Sequence, residues 1–418
     1  MKNKLVILGA GAAGLGAYNR AQELNLDVNV FEANSTPGGL LDNFSINGFR
    51  FDNAVHLSFT KNEVVRSLFD MTEAYKHEPD CFCIENGTWL KHPIQNNLYP
   101  LSSEDKVSII SSMFCRKEAP IENYSDWLRA QYGDVFSSRY PEKYTVKYWG
   151  LAAKELSTTW VGERMRKLDI DEILRGAFTE NRENHYYTKE MRYPKKGGFF
   201  SFLSKVPNLD RINYNKKVME IDTRDKVVKF VDGTSYSYDK LVSSLPLPVI
   251  IGMLSNVPEK VSLACDRLLW TTVDLISVGF NRENIPKSLW YYIYDEDILS
   301  SRAYSPSVKS PDNVPKGKSS MQFEIYNLST ESRLDKSELI SNVKTHLLTD
   351  GICKEDDILF MKHKHLNYGN VVFYNGMESD RNIVLNFLNE TCIKSVGRFG
   401  EWEYFWSDQS YLSGYKAI

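Results

Sequence analysis

The sequence predicts an α/β protein with more than one domain, and three observations support this. The 418 residues exceed the roughly 100 to 200 residues of one ordinary core. An apolar run near the start leads into a glycine-rich turn and a helical pattern, which is typical of a β–α–β unit. Alternating apolar residues in Val273 to Phe280 and Met321 to Tyr326 indicate a separate, half-buried sheet.

The composition is typical of a folded globular chain and argues against a disordered or fibrous protein. Apolar residues make up 42% and charged residues 25% of the chain, close to the averages of soluble domains. The net charge of −3 gives no basis for predicting a nucleic acid partner. Aromatic residues reach 13%, a share that suits either large cores or flat ligands.

The cysteines and the apolar stretches predict a cellular location. The six cysteines include no C-x-x-C pair, and the spacing of Cys81 and Cys83 does not suit zinc. The apolar stretch Leu245 to Leu254 contains two prolines and is far shorter than the roughly 20 residues of a membrane span. We therefore expect reduced thiols, no metal site, no membrane segment and a cytoplasmic protein.

The first element is a strand, a glycine turn and a helix. The apolar run Lys4 to Leu8 precedes Gly9-Ala10-Gly11-Ala12-Ala13-Gly14, a helical pattern spans Leu15 to Leu24, and a second strand, Val28 to Phe31, ends at an acidic residue. Such glycines permit the turn, let the backbone approach a pyrophosphate and let helix and strand pack closely, while the acid binds the ribose hydroxyls. The alternative is a purely structural glycine turn. The predicted dinucleotide-binding residues are Gly9, Gly11, Ala13, Gly14 and Glu32.

Later segments return to this domain and favour FAD over NAD. Pro37-Gly38-Gly39 supplies a second glycine pair just after the acid. A meander from Lys226 to Tyr238 precedes a strand at Lys240 to Ser243, and Gly397-Arg398-Phe399-Gly400 lies near the end of the chain. A Rossmann-like domain that begins at the N-terminus and is revisited twice fits a flavoprotein of the glutathione-reductase type better than an NAD dehydrogenase.

The segments between these returns predict two further domains. Residues 61–76 and 102–180 show helical periodicity with few glycines, and Ser305 to Ser320, rich in Ser, Pro and Lys, is predicted to be an exposed loop. The predicted domains are a discontinuous FAD-binding domain (1–60, 190–258 and 366–418), a helical domain (61–77 and 100–189) and an antiparallel-sheet substrate domain (78–99 and 259–365).

Four further motifs place polar and aromatic residues in a distinctive order. They are Phe49 to His56; His92-Pro93-Ile94-Gln95-Asn96-Asn97-Leu98 together with Tyr144 to Arg164; Trp290-Tyr291-Tyr292 followed ten positions later by Arg302; and Gly397 to Gln409.

These motifs resemble those of the UDP-galactopyranose mutase family, in the pattern of its eukaryotic members, within the FAD-dependent amine oxidase and protoporphyrinogen oxidase superfamily. The resemblance extends over nearly the whole chain. It implies an isomerase that interconverts the pyranose and furanose forms of a UDP-hexose and supplies furanose for polysaccharide synthesis. Reduced FAD would act as the nucleophile through an adduct between flavin N5 and the sugar.

The resemblance also implies roles for individual residues. The expected catalytic residues are His56 beside the flavin and Arg164 and Arg302 on the diphosphate, where planar guanidinium groups grip two oxygens at once. The other residues expected at the cofactor are Gly38, Gly39, Gly397, Arg398 and Gln409. The other residues expected at the substrate are Gln95, Asn96, Trp149, Trp290, Tyr292, Tyr368 and Tyr404.

The chain departs from the family pattern at a few positions, and two other functions stay open. Ala54-Val55 replaces small residues, often a glycine pair, and His92 replaces a tyrosine. The alternatives are an FAD-dependent amine oxidase or desaturase of the protoporphyrinogen oxidase type and a non-catalytic FAD-binding partner protein. NAD(P)H is a candidate external reductant, and the sequence does not indicate an oligomeric state.

Overall fold

The computed structural model describes residues 4–116, 119–162, 165, 168–180, 186 and 188–418. The α-helices of the described chain are α1 (Ala12–Glu23), α2 (Glu63–Phe69), α3 (Ser103–Phe114), α4 (Tyr124–Arg139), α5 (Pro141–Trp149), α6 (Ile170–Phe178), α7 (Leu247–Ile251), α8 (Glu259–Asp266), α9 (Pro306–Lys309), α10 (Lys336–Thr349), α11 (Met377–Glu390) and α12 (Ser407–Lys416).

The strands of the described chain come in groups between these helices. They are β1 (Leu5–Leu8), β2 (Val28–Phe31), β3 (Asn43–Ile46), β4 (Phe49–Asp52), β5 (Ala74–His77), β6 (Cys81–Glu85), β7 (Thr88–Lys91), β8 (Met191–Pro194), β9 (Val218–Asp222), β10 (Val227–Phe230), β11 (Ser235–Ser237), β12 (Lys240–Ser243), β13 (Trp270–Phe280), β14 (Trp290–Ile293), β15 (Arg302–Tyr304), β16 (Ser319–Leu328), β17 (Ile358–Val371) and β18 (Ile393–Ser395).

A parallel sheet forms the centre of the Rossmann-like domain. Its strand order is β18-β12-β1-β2, and β1, which is buried along its whole length, lies between two neighbours as a continuous apolar strand should. The C-terminal helix α12 packs closely on α1, because a Cβ on Gly414 would lie only 1.8 Å from the carbonyl oxygen of Ala13. The two ends of the chain therefore meet in one domain, as the sequence predicts.

One short segment differs from its predicted structure. Residues 61–76 are predicted to be helical, and α2 is present, but β5 pairs antiparallel with β8, with Ala74 opposite Pro194 and His77 opposite Met191. The helical prediction is wrong for β5 because its hydrogen-bond partners lie more than 100 residues away, and strand pairing with a distant segment overrides a weak local pattern.

A seven-stranded sheet forms the second layer. Its order is β17-β13-β16-β15-β14-β6-β7, and it is antiparallel except between β14 and β6, which run parallel. This sheet confirms the predicted α/β fold class with an antiparallel second sheet. β17 continues beyond residue 365 to Val371, and the exact domain boundaries stay a prediction.

Seven residues of the segment Ser305 to Ser320 are buried, mainly at its two ends, which makes the predicted exposed loop wrong there. Lys309 at the end of α9 has no exposed side-chain surface, and its Nζ lies 2.7 Å from Oδ2 of Asp52, which is also buried. Composition favours a loop because lysine is usually exposed, but an oppositely charged partner from a distant strand makes burial tolerable. In the described part of the chain, no helix is long and apolar enough to cross a bilayer.

Candidate functional site

A cavity of about 1390 Å³ lies where the parallel sheet, the seven-stranded sheet and helices α4 and α5 meet. Pockets for a single small ligand usually measure about 300 to 1,000 Å³. The cavity therefore has room for a dinucleotide and for a second ligand beside it.

The dinucleotide end of the cavity is built mainly from backbone. Gly9 has a φ of +88°, and a Cβ on Gly14 would lie 1.9 Å from the carbonyl oxygen of Gly9, so neither position accepts a side chain. A Cβ on Gly11 would meet nothing within 4 Å, which leaves the backbone open towards the cavity. Glu32 is buried at the end of β2, and its carboxylate accepts hydrogen bonds from the backbone N–H groups of Ala10 at 2.7 Å and Asn34 at 2.9 Å.

His56 follows a strained turn after β4. Ala54 has a φ of +76°, a conformation that costs a non-glycine residue about 1 to 2 kcal/mol. His56 Nε2 lies 3.0 Å from the carbonyl oxygens of both Leu40 and Asn53, so this nitrogen carries a proton that it donates to them. Burial lowers the pKa of His56, which favours the neutral ring with its proton on Nε2.

Arg302 is a buried cation at the sheet end of the cavity. Its Nε donates to the fully buried carboxylate of Glu324, and its Nη2 donates to the Tyr326 hydroxyl at 3.1 Å. Burial alone would lower the pKa of Arg302, but the Glu324 carboxylate and the neighbouring tyrosines hold it well above its ordinary value. Nη1 has no hydrogen-bond partner among the described residues, so it is available to an anionic ligand.

A row of polar groups connects the region of Arg302 with the Rossmann-like domain. The guanidinium of Arg302 lies 5.4 Å from the ring centre of Tyr148, and the hydroxyls of Tyr148 and Tyr404 are 3.1 Å apart. Tyr148 also donates to Asn370 Oδ1 at 3.4 Å, and Arg398 donates to the same oxygen at 3.5 Å. These donors face a single elongated space, which suits a ligand with several negatively charged oxygens.

Aromatic rings enclose the far side of Arg302. His92 lies 4.8 Å from Tyr292 and 5.7 Å from Tyr186, measured between ring centres, and Tyr186 lies 5.7 Å from Trp290. Tyr144 packs edge-on against Tyr292 at 5.4 Å, and its buried hydroxyl has no partner among the described residues. Flat walls with a few polar groups are typical of a site for a planar ring.

Most predicted site residues line this cavity, although their roles stay predictions. Gly14 lies behind the turn, Asn96 donates to Glu172 at 2.8 Å, and exposed Gln409 accepts from the backbone of Trp406 at the start of α12. These three do not line the cavity, and Arg164 lies outside the described residues. The predicted residues that do line it are Gly9, Gly11, Ala13, Glu32, Gly38, Gly39, His56, Gln95, Trp149, Trp290, Tyr292, Arg302, Tyr368, Gly397, Arg398 and Tyr404.

Several residues that complete the site are not predicted from the sequence. The most important is Glu324, which holds Arg302 and also accepts the backbone N–H of Val55 at 2.7 Å. A glutamate inside the apolar alternation of Met321 to Tyr326 is a signal that could have revealed it, because an acid within a buried strand needs a cationic partner. Tyr148 and Asn370 carry no comparable signal. Among the described residues, no cluster of three or more His, Cys, Asp or Glu side chains could hold a metal ion.

The fold and this site define a protein with a Rossmann-like dinucleotide-binding domain whose cavity extends over an antiparallel sheet. The family described as NAD(P)-binding Rossmann-like domain matches residues 7–72. The chain is similar over 100% of its length, and over 93% of the other chain, to a crystal structure of reduced UDP-galactopyranose mutase, with a TM-score of 0.92 and 25% identity.

Two more distant structures share the fold alone. A protein from an Exiguobacterium species that is assigned as a protoporphyrinogen oxidase matches with a TM-score of 0.75 and 14% identity, over 100% of this chain and 98% of that one. A fatty acid isomerase from P. acnes that produces CLA matches with a TM-score of 0.67 and 11% identity, over the same two shares. The fold therefore accommodates more than one kind of reaction.

Proposed function

We propose that the protein is an FAD-dependent nucleotide-sugar mutase that interconverts the pyranose and furanose forms of a UDP-hexose. The single observation that carries the proposal is the continuous cavity, which leads from the glycine-rich turn to a buried arginine with unused donors. The similarity over the full length to a reduced UDP-galactopyranose mutase supports the same reaction class.

The residues at the dinucleotide end fit FAD. The open backbone at Gly11, the buried carboxylate of Glu32 and the guanidinium of Arg398 match the needs of a pyrophosphate and a ribose. Near His56, the cavity has room for a flat ring between its dinucleotide end and Arg302. Reduced FAD, when bound there, would supply the nucleophile for the anomeric carbon of the sugar.

The protein's own contribution is to position the diphosphate and stabilise its charge. Arg302 would bind the leaving diphosphate through Nη1 and Nη2, because its charge is fixed and its orientation is set by Glu324. The hydroxyls of Tyr148 and Tyr404 would turn away from their present partners to donate to the same oxygens. His56 would fix the conformation of the turn after β4, because its Nε2–H donates to the carbonyl oxygens of Leu40 and Asn53. Arg164 is proposed as a second diphosphate ligand on the family resemblance.

The proposal is tested with the purified protein and UDP-galactopyranose under anaerobic conditions, with and without dithionite. We expect UDP-galactofuranose, separated by chromatography, only when the flavin is reduced. A furanose product that does not depend on reduction would contradict flavin nucleophilic catalysis. Formation of peroxide from an amine in air, without furanose, would instead identify an oxidase.

A further inference from the structure

Two walls of the cavity come from segments that are distant in the sequence. One wall is α5, with Tyr144 and Tyr148 on its cavity side, and the other is the end of β14 with Tyr294 just beyond it. The ring centres of Tyr144 and Tyr294 lie 5.7 Å apart. Because ring pairs are stable over about 4.5 to 7 Å between their centres, this contact alone does not fix the distance between the two walls.

The side chain of Lys147 joins these two walls. Its Nζ donates to the carbonyl oxygen of Ile293 at 2.9 Å and to that of Asp295 at 2.8 Å. These two carbonyls flank Tyr294, so one amino group holds the backbone on both sides of a ring that lines the cavity. Lys147 itself does not line the cavity, and it therefore acts on the wall rather than on a ligand.

Lys147 is a cation without a carboxylate partner. Its side chain is partly buried, and it forms no ion pair with a carboxylate of the described residues. Burial lowers the pKa of Lys147 to about 7, although the three acidic residues 295–297 favour the charged form. On α10, the neighbouring His346 is neutral at this pH, because burial lowers its pKa as well. The charge of Lys147 therefore changes close to neutral pH.

The charge on Lys147 determines how firmly it holds the walls. A charge-assisted hydrogen bond is about twice as strong as a neutral one, so the protonated form binds the two carbonyls more strongly. A diphosphate bound at Arg302 would bring negative charge close to α5, because the Arg302 guanidinium lies 5.4 Å from the ring centre of Tyr148. Negative charge raises the pKa of a nearby ammonium. Binding and protonation thus favour each other, and the affinity should fall as the pH rises above 7.

We propose that Lys147 is a positioning residue that holds α5 against the end of β14, and that its charge makes the affinity for an anionic nucleotide sugar decrease above neutral pH. The inference rests on the proposed function, because that function supplies the anionic ligand. The role concerns binding and not the chemical step, because Lys147 contacts only the backbone of the wall among the described residues.

The first test measures the binding of UDP-galactopyranose to the oxidised, flavin-loaded protein by calorimetry between pH 6 and pH 8.5. The diphosphate of this ligand is a diester and keeps its charge in this range. We expect the affinity of the unmodified protein to fall about 3- to 10-fold across the range. His56 and His92 do not titrate there, because burial lowers the pKa of both rings. A flat profile in the unmodified protein would overturn the proposal.

Three variants assign this profile to one side chain. Lys147→Arg stays charged throughout and should keep the affinity that the unmodified protein has at pH 6, without the fall. Lys147→Met should bind about 3- to 30-fold more weakly at pH 6, also with a flat profile. Lys143→Met, one turn earlier in α5, removes an ion pair with Glu296 and is the matched control; its affinity should stay within about twofold and keep the original profile.

Two results from these variants would contradict the role of Lys147. One is a pH profile in Lys147→Arg that equals that of the unmodified protein. The other is a loss of affinity in Lys143→Met as large as that in Lys147→Met. If Lys147→Met does not fold, the comparison between Lys147→Arg and the unmodified protein still decides the question.

The second test separates binding from chemistry in the reduced protein. In Lys147→Met at pH 6, we expect the KM for UDP-galactopyranose to rise by about the same factor as the affinity falls, and kcat to stay within about threefold. A large fall in kcat with an unchanged KM would show that Lys147 acts on the reaction and not on the wall.

The two proposals fail in different ways. If the flavin-loaded, unmodified protein does not bind UDP-galactopyranose at all, the proposed function is wrong, and the role of Lys147 falls with it. If the protein binds this ligand and Lys147→Met binds it equally well, only the role of Lys147 is wrong.

Discussion

Two cations in the seven-stranded sheet and its connections have different surroundings. Lys309 has no exposed side-chain surface, pairs with Asp52 at 2.7 Å and lies 4.4 Å from the ring centres of both Tyr193 and Tyr304. Arg302 keeps 17% of its side chain exposed, and that surface faces the cavity. Both cations have a carboxylate partner, but only Arg302 retains donors for a ligand.

The difference shows how a buried charge can be structural in one place and ligand-binding in another. A lone ammonium enclosed by a carboxylate and two rings has no direction left in which to bind anything else. A guanidinium has five N–H donors, and the described partners of Arg302 do not use all of them. The edge of the guanidinium that stays exposed to the cavity, rather than the presence of a carboxylate partner, separates the two sites.

A single short loop contains or contacts the carboxylate partners of both cations. β4 ends at Asp52, the partner of Lys309, and three residues later the backbone N–H of Val55 donates to Glu324, the partner of Arg302. The strained turn at Ala54 lies between these two anchors. The following changes test whether the two ends of this loop have the separate roles that their surroundings indicate.

The largest effect on stability is expected from Lys309→Met. It leaves the buried carboxylate of Asp52 without its cation, and we expect the free energy of unfolding in urea to fall by about 3 to 5 kcal/mol. The double variant Asp52→Asn with Lys309→Met removes both charges and should recover most of the loss. Lys195→Met, which breaks an exposed pair with Glu73, is the control and should cost less than about 1 kcal/mol. A large loss of activity in Lys309→Met without a loss of stability would contradict its structural role.

The next largest effect is expected on catalysis from Arg302→Ala. We expect the activation barrier with UDP-galactopyranose to rise by about 2 to 5 kcal/mol, because a buried phosphate charge loses its partner. This corresponds to a fall of roughly 30- to 4000-fold in kcat/KM. Arg302→Lys keeps a cation beside Glu324 but lacks the planar fork, so it should retain most of the stability and still lose at least about tenfold in activity. A loss smaller than threefold in Arg302→Ala would remove this residue from the site.

The smallest effect is expected from Ala54→Gly. Glycine adopts the positive φ of this turn without steric cost but loses more chain entropy on folding. We expect a net gain of about 0.5 to 1 kcal/mol in the free energy of unfolding, measured in urea. Ala17→Gly in the interior of α1 is the control and should instead lose about 1 kcal/mol. Destabilisation by Ala54→Gly would show that the two anchors, rather than the turn itself, determine the conformation of this loop.

Much of the dinucleotide end could be predicted because its chemistry is local. The glycine spacing, the helix that follows and the acid at the end of β2 lie within the first 32 residues, and each acts through backbone geometry that a short segment determines by itself. The predicted strand Val28 to Phe31 has the bounds found in the structure. The sequence also indicated Arg302, Trp290 and Tyr292, which line the cavity, through the family resemblance and not through local physics.

The arrangement of residues at the sheet end of the cavity could not be predicted, because it depends on contacts between distant segments. One row across the sheet places Cys83, Tyr292, Arg302, Glu324, Leu275 and Lys364 side by side on successive strands. No local pattern fixes that register, because pairing between distant strands is set by the packing of the whole core. By itself, the sequence thus determined that the chain builds the glycine-rich turn of a Rossmann-like domain. Only the tertiary structure decided which acid holds Arg302 and which cation is fully buried, because burial and partner choice depend on strands that meet only in the folded protein.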